Sequence, residues 1–304
     1  MTTYVQVSDG IARDIAAGVL RPGQELPSVR EAAQRHNTTS STIGRAYRHL
    51  ADAGVIDVAN RRRSRVAIDG VAAAQHLLDG RPALRLAGSD DPGLDIVLRH
   101  TEPGILTSGA RGSFHGLTGL WRGTADAAAV HLRHQSGTSN SPYARALLRG
   151  REPSIIHLWR REQGLLTPRG NPHHIAGPGD LRSLRVAQRP PGTGTRVLLD
   201  RFLVDAGIPP PTVTGPNTAS HLEVAISIAC GQADTGLAVR AAATALDLDF
   251  IPLTWEDFDI ILTRKALPAA EPLIAALRDP TLRSTIHALG GYDTSRSGAV
   301  EHLA

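Results

Sequence analysis

A chain of 304 residues with 41% hydrophobic and 20% charged side chains has length for two or three domains and ample core, and no run approaches the ~18–20 apolar residues that a membrane helix needs. Its single cysteine, Cys230, excludes an internal disulfide framework and a cysteine-based zinc site, and the apolar stretch Val224 to Ala229 beside it predicts a buried, inert thiol. The net charge of +4 rests almost wholly on arginine, Lys265 being the lone lysine, so the basic balance reflects composition bias as much as any partner.

The N-terminus, MTTYVQVSDGIARD, carries acidic residues and lacks a signal peptide's basic and apolar regions, which reads as a cytoplasmic protein. Tyr4 to Leu20 forms an amphipathic helix with Tyr4, Val7, Ile11 and Ile15 on one side. Leu26 to Leu50 then reads as two short helices around a tight turn. Ser28 caps the first, and Glu31, three residues on, completes a capping box. The polar run His36 to Ser41 interrupts it, because such short side chains compete for backbone hydrogen bonds. The second helix starts near Ser40 or Ser41 and buries Ile43, Ala46, Tyr47 and Leu50 at i, i+3, i+4 and i+7. Two short strands, Gly54 to Val58 and Ser64 to Ile68, flank Asn60-Arg61-Arg62-Arg63. A plain helical hairpin shares part of this pattern, but the order helix, helix, helix, hairpin is a winged helix with a cationic tip. Between Arg45 and Arg65, six arginines face only Asp52 and Asp57, which is the charge footprint of a DNA contact surface.

The segments GVLRPGQELPSVREAA and STIGRAYRHLADAGVI, followed by the arginine wing, resemble the N-terminal domain of GntR-type transcription regulators, over residues 1–69. Gly44 departs from a good recognition helix by about 1 kcal/mol of helix propensity relative to alanine. The expected DNA-binding residues are Ser28, Arg30, Ser41, Thr42, Arg45, Arg48, Arg61, Arg62, Arg63 and Arg65.

Residues 70–82 read as a linker or short helix closed by Gly80 and Pro82. Strands then alternate with helices, the mark of an α/β domain with a largely parallel sheet. Strands are expected at Ala83 to Ala87, Gly104 to Thr107, Ala125 to Leu132, Ile155 to Thr167, Leu184 to Gln188 and Asp234 to Val239, then separately at Asp249 to Pro252 and Asp259 to Thr263. Helices are expected from Pro92 to His100, up to Trp121, at Tyr143 to Leu148, Val197 to Ala206 and Ala219 to Cys230, up to Leu246, then at Glu271 to Arg278 and Thr281 to Leu289. The tail from Thr294 reads as frayed.

Three strand-to-helix junctions share one chemistry: Gly88-Ser89-Asp90, Gly112-Ser113 and Gly192-Thr193-Gly194-Thr195-Arg196. Glycine lets a ligand approach the backbone, a helix N-terminus offers unpaired N–H groups, and the hydroxyl adds a neutral donor. Capping alone explains any one junction, but three at the carboxyl ends of a parallel sheet suit a small oxyanion. GTGTR lacks the lysine of a P-loop.

Residues 83–293 resemble the periplasmic-binding-protein-like domain fused to helix-turn-helix modules in molybdate-type regulators. The resemblance rests on AGSDDPGLDI, GSFHGLTGLWRGTADAAAVHL, IHLWRREQGLLTPRGNP, RPPGTGTRVLLDRFLVDAGI, SHLEVAISIACGQADTGLAVRAAATALDLDFIPL and ALGGYD. It implies a fold that is α/β with an N-terminal winged helix-turn-helix and a C-terminal two-lobed, type II periplasmic-binding-protein-like domain. The implied domains are 1–69, a linker 70–82, and 83–304, with lobe I at about 83–160 plus 255–304 and lobe II at about 165–250. It further implies ligand contacts from Ser89, Asp90, Ser113, His131, Thr193, Gly194, Thr195, Arg196 and Asp234. Arg196 can equally pair with Asp200 at i+4, and His131 and Asp234 can equally be structural.

The expected function is a ligand-responsive transcription regulator, a homodimer on an inverted-repeat operator in double-stranded DNA. Its effector would be a small oxyanion such as molybdate or tungstate, in a site read as short of aromatic residues, with no cofactor and no metal. The alternative is a cytoplasmic binding protein for a small organic anion or a molybdenum-cofactor-related ligand, whose N-terminal module serves dimerisation. No acid–base pair, metal-ligand spacing or nucleophile elbow points to an enzyme.

Overall fold

The computed structural model describes residues 3–58, 63–80, 84–101, 104–110, 112–134 and 137–303. The chain divides into two compact units, Met1–Arg85 with Glu102–Ser108, and Leu86–Thr101 with Gly109–Ala304.

In the first unit, α1 (Tyr4–Ala16), α2 (Val29–Arg35) and α3 (Ser40–Asp52) precede a hairpin of β1 (Ile56–Asp57) and β2 (Arg65–Val66). Local chemistry sets these boundaries. Thr3 with Gln6 and Ser28 with Glu31 close capping boxes on α1 and α2, and the Thr39 hydroxyl caps α3 by accepting from the Thr42 N–H. The hairpin pairs Ile56 with Val66 and Asp57 with Arg65. Val7, Ile11, Ile15, Ile43, Ala46, Leu50 and Val66 share one core, and the Tyr47 hydroxyl donates to the Pro27 carbonyl at 2.8 Å. Residues 70–78 are not a free linker. They form α4 (Gly70–Leu78), whose Ala73 and Ala74 are buried in that same core, because its small residues let it lie closely on α1.

The remaining elements in order are β3 (Leu84–Gly88), α5 (Pro92–Thr101), β4 (Ile105–Ala110), α6 (Ser113–Arg122), β5 (Ala127–Val130), α7 (Ser141–Leu147), β6 (Pro153–Thr167), β7 (Val186–Ala187), α8 (Gly194–Asp205), α9 (His221–Ala229), β8 (Thr235–Val239), α10 (Arg240–Ala245), β9 (Asp249–Thr263), α11 (Leu267–Arg278), α12 (Pro280–Ala288), β10 (Tyr292–Asp293) and β11 (Val300–His302). The strand order is β4-β3-β5-β9-β6-β8-β7. β3 and β5 pair in parallel, as do β7 and β8, while β6 and β9 run antiparallel to each other along their whole length. These two long strands tie together two lobes, each with its own core. Leu117, Leu120, Val130, Ile155 and Ile261 fill one, and Leu165, Leu181, Val186, Leu199 and Leu237 the other.

Two expectations change here. The segments read as separate strands at Asp249 to Pro252 and Asp259 to Thr263 are one strand, because pairing with β6 carries the intervening residues; a register shift leaves Leu253 between Pro252 and Thr254, where a proline can sit. The tail is not frayed. Val300 pairs with Ile156 and His302 with Ser154, and Leu303 is buried in the first lobe's core. Cys230 also differs from expectation: it follows the last turn of α9 and is exposed, since the apolar residues before it point elsewhere on the helix. Among the described residues, no helix is long and apolar enough to cross a membrane.

Candidate functional site

On the first unit, α3 turns one face outward. Ser41, Arg45 and Arg48 are exposed and Thr42 is half-buried, while Ile43, Ala46, Tyr47 and Leu50 point inward. The Arg45 guanidinium lies 4.4 Å from the Tyr4 ring centroid, and Arg48 Nε donates to the Gly44 carbonyl, so both cations are held over the helix surface. Arg30, on α2, is also exposed. Arg63 pairs with Glu31 at 3.0 Å and Arg65 with Glu25 at 2.6 Å, both exposed surface contacts. Ser28 spends its hydroxyl as the α2 cap. Arg61 and Arg62 lie outside the described residues.

In the second unit, the strand-to-helix junctions of the first lobe converge. The Ser89 and Ser113 hydroxyls hydrogen-bond at 2.8 Å, and Ser113 Oγ also accepts from the His131 N–H at 3.2 Å. All three residues are buried. Gly112, at φ +88°, sets up the start of α6, and a Cβ there would lie 2.9 Å from Thr193 Cγ2 in the other lobe. Gly194 faces His131 just as closely: an added Cβ would meet its Cε1 at 2.4 Å. The N-terminus of α8 therefore abuts the Ser113–His131 side of the cleft. Its first N–H groups, at Gly194 and Thr195, have no acceptor within the helix, whose N-terminal end carries positive partial charge.

The crossing strands add a charge network that sequence reasoning missed. Arg161 on β6 is fully buried and donates to Asp91 at 2.7 Å and to Glu256 at 2.8 Å. Glu256 also accepts from Gln163 at 2.7 Å and contacts His131 Nδ1 at 3.1 Å. Burial disfavours the charged carboxylate of Glu256, but His131 and Arg161 more than offset this and hold it well below the usual range. On the second lobe, Arg189 donates to Asp90 at 2.6 and 3.3 Å, and the His221 N–H at the start of α9 donates to the same carboxylate at 3.0 Å. Burial again opposes ionisation of Asp90, yet the Arg189 guanidinium and the hydrogen bonds from Arg189 and the His221 N–H drive its pKa far down. Burial pushes the His221 imidazole well below 6.5, so it is neutral at pH 7 and Arg189 is the facing cation. Asp90, from the first lobe, thus fills an anion seat on the second. Arg161 Nη2, Gln163 Oε1, Arg189 Nε and His221 Nδ1 are buried without a hydrogen-bond partner among the described residues.

Of the expected ligand residues, the structure brings Ser89, Asp90, Ser113, His131, Gly194 and Thr195 to this cleft. Thr193 lies beside them, but its hydroxyl donates to the Pro190 carbonyl and accepts from the Arg196 N–H as the α8 cap. Arg196 makes the i+4 pair that its spacing allowed, Nε to Asp200 at 2.7 Å. Asp234 is misplaced as a cleft residue. It precedes β8 at the strand's N-terminal end, where Arg185 grips it at 2.6 Å, and its pKa is lowered chiefly by that hydrogen bond. Arg161 and Gln163 had one visible signal, the charged RREQ run inside an otherwise apolar strand, whereas Arg189, His221 and Glu256 had none.

Beside the network lies a cavity of about 300 Å³, walled by α8 on one side and by the first lobe and crossing strands on the other. Phe114, Tyr143 and Trp255 line it, so the site is not short of aromatic side chains.

The family model described as a PBP superfamily domain matches residues 97–278, and that for bacterial regulatory proteins of the gntR family matches residues 3–66. The uncharacterized protein YvgK of Bacillus subtilis is 33% identical over 230 residues, covering 73% of this chain and 74% of its own. Among solved structures, the sulfate-binding protein SubI of Mycobacterium tuberculosis superposes with a TM-score of 0.51 at 13% identity, over 70% of this chain and 86% of that one. A hydrogen-peroxide-bound OxyR mutant from Corynebacterium glutamicum gives 0.50 at 14% identity, over 95% of each chain.

Proposed function

Because the chain belongs to the PBP superfamily and carries a DNA-binding domain of the gntR family, we propose that it is a transcription regulator whose operator binding responds to a small anion held between the two lobes. The observation that carries this reading is the seat that Asp90 fills: Arg189 and the N-terminus of α9 grip a carboxylate that arrives from the opposite lobe. A site that holds one anion across the cleft, beside the Ser89–Ser113 hydroxyls and the free N–H groups of α8, has the donors to take another. Closure around that anion shifts the protein only insofar as the anion binds the closed state more tightly than the open one.

On the DNA side, Arg45, Arg48, Ser41 and Thr42 read the major groove from α3, and the wing arginines hold phosphates. A homodimer would set two such helices on half-sites about one helical turn, ~34 Å, apart, so the operator is an inverted repeat. Molybdate and tungstate are the simplest anions to try first. The test is fluorescence anisotropy on promoter DNA, with and without molybdate, tungstate, sulfate, phosphate or small carboxylates, for wild type and for a Ser113→Ala, Thr195→Ala double variant. Anion-dependent binding that the double variant loses supports the reading. Binding that ignores every anion tried, inorganic and organic, sinks it.

A further inference from the structure

The cavity beside the cleft points to a more specific effector. We infer that the anion is the acidic head of a flat organic acid, and that the cavity lined by Phe114, Tyr143 and Trp255 holds its ring. This rests on the anion-responsive reading above and narrows it.

Three observations support the assignment. First, large apolar side chains converge on this one cavity while remaining open to solvent: Phe114 is 43% exposed, Trp255 40% and Val197 50%. They come from α6, β9 and α8, elements far apart in sequence, and a shared concavity of exposed aromatics marks a binding site rather than scattered surface residues. Phe114 and Tyr143 stand edge to face at 6.3 Å, so the two rings form one aromatic wall. Second, the charge is distributed to suit an anion on a carbon frame. Arg133, Arg160 and Arg201 line the cavity against the carboxylates of Glu256 and Asp257, which leaves the arginines in excess. Arg160 meets Asp257 only at 3.7 Å and Arg201 meets Asp205 at 3.8 Å, while no ion pair among the described residues engages Arg133. Arg160 also lies 5.8 Å from the Trp255 ring, where a guanidinium and an indole together can sandwich a flat group.

Third, the polar floor beyond the cavity is poorly suited to a bare dianion. Arg161 and Arg189 are already engaged by Asp90, Asp91 and Glu256, so a free oxyanion entering there competes with three carboxylates for its donors. A monoanionic head needs fewer donors, and the ring supplies the rest of the affinity by leaving water. His131 and Gly194 belong to both the floor and the cavity wall, so the N–H groups at the start of α8 can meet the head while the ring lies against Trp255. At about 300 Å³ the space fits one or two fused rings.

The test uses the full chain and benzoate, phthalate and indole-3-carboxylate, with acetate, sulfate and molybdate beside them. Melting temperature and tryptophan fluorescence are read for wild type, Trp255→Ala, Phe114→Ala and Arg133→Ala. Both aromatic side chains are two-fifths exposed, so the variants should melt near wild type without ligand. The expected result is a rise of several degrees with at least one aromatic acid at concentrations where acetate does nothing, reduced at least tenfold in apparent affinity by Trp255→Ala and by Arg133→Ala. Stabilisation by molybdate or sulfate, lost in Ser113→Ala but indifferent to Trp255→Ala, overturns the ring assignment and leaves the anion-responsive reading intact. No response to either class overturns both.

Discussion

Replacing Asp90 with alanine probes whether the two lobes are joined by a buried ion pair. The carboxylate is 14% exposed and Arg189 only 3%, and they meet at 2.6 Å, with the His221 N–H donating to the same group at 3.0 Å. Removing one partner of such a pair leaves the other charge buried and uncompensated, a cost of about 3–5 kcal/mol. For a unit of some two hundred residues each kcal/mol shifts melting by about 2–4 °C, so Asp90→Ala should melt roughly 6–20 °C lower. Differential scanning calorimetry measures this directly, and formate or acetate should restore part of the loss by occupying the seat that the side chain left. The pH dependence has a definite sign. The folded-state pKa of Asp90 lies below its unfolded value, so its contribution is fully present above about pH 4 and fades as pH falls further. Wild type and variant should therefore converge in acid. A loss under about 1 kcal/mol at pH 7, the worth of an exposed pair, would refute the reasoning and mean that Arg189 is hydrated in solution.

Three further outcomes follow from the same geometry. Arg45→Ala with Arg48→Ala should abolish operator binding at physiological salt and reduce the salt dependence by about one unit per lost phosphate contact, measured by anisotropy across salt concentrations; an unchanged slope removes α3 from the interface. Gly194→Ala places a methyl 2.4 Å from the His131 ring and should hold α8 away from the first lobe, weakening effector binding at least tenfold while circular dichroism stays that of the wild type; an unaltered affinity means the lobes do not close along this contact. His221 is buried neutral with its pKa well below 6.5, so the stability tied to it is present above about pH 6.5 and declines as pH drops, by at most about 1.4 kcal/mol per unit. Urea denaturation between pH 6.5 and 5 should show that slope in wild type and a shallower one in His221→Gln, and equal slopes exclude His221 as its source.

The winged helix was legible because its signals are local. Capping boxes at Thr3 and Ser28 and the Ile43-Ala46-Tyr47-Leu50 stripe need no distant partner to be interpreted. Ser89 and Ser113 were legible for the same reason, as each sits beside a glycine where strand gives way to helix. The buried charges were not. Arg161 is tolerated inside β6 only because Asp91 and Glu256 arrive from segments far along the chain, and sequence spacing does not reveal such meetings. The tail failed for a related reason: Val300 to His302 is too short and polar to signal a strand, and β6 supplies its hydrogen bonds. The misplacement of Asp234 was avoidable. It precedes β8, whereas ligands in such sheets gather at the carboxyl ends of strands.

The Asp90 contact also bears on how strongly an effector can act. A closed arrangement already favoured by a buried ion pair leaves less for a ligand to shift, since a ligand moves a two-state equilibrium only by its differential affinity. An effector that merely adds contacts to a cleft held shut by Arg189 would bind and change little. One that displaces Asp90 from Arg189 gains the seat but forfeits the internal pair, so its net affinity is low for a bare anion and recoverable only through contacts elsewhere. The aromatic cavity next to that seat offers such contacts in the same cleft, through Trp255, Phe114 and Arg133. Asp90→Ala therefore distinguishes two modes of response. If the effector displaces the carboxylate, the variant binds more tightly than wild type; if the effector binds beside it, the variant binds more weakly, because the closed cleft that the effector needs is less populated.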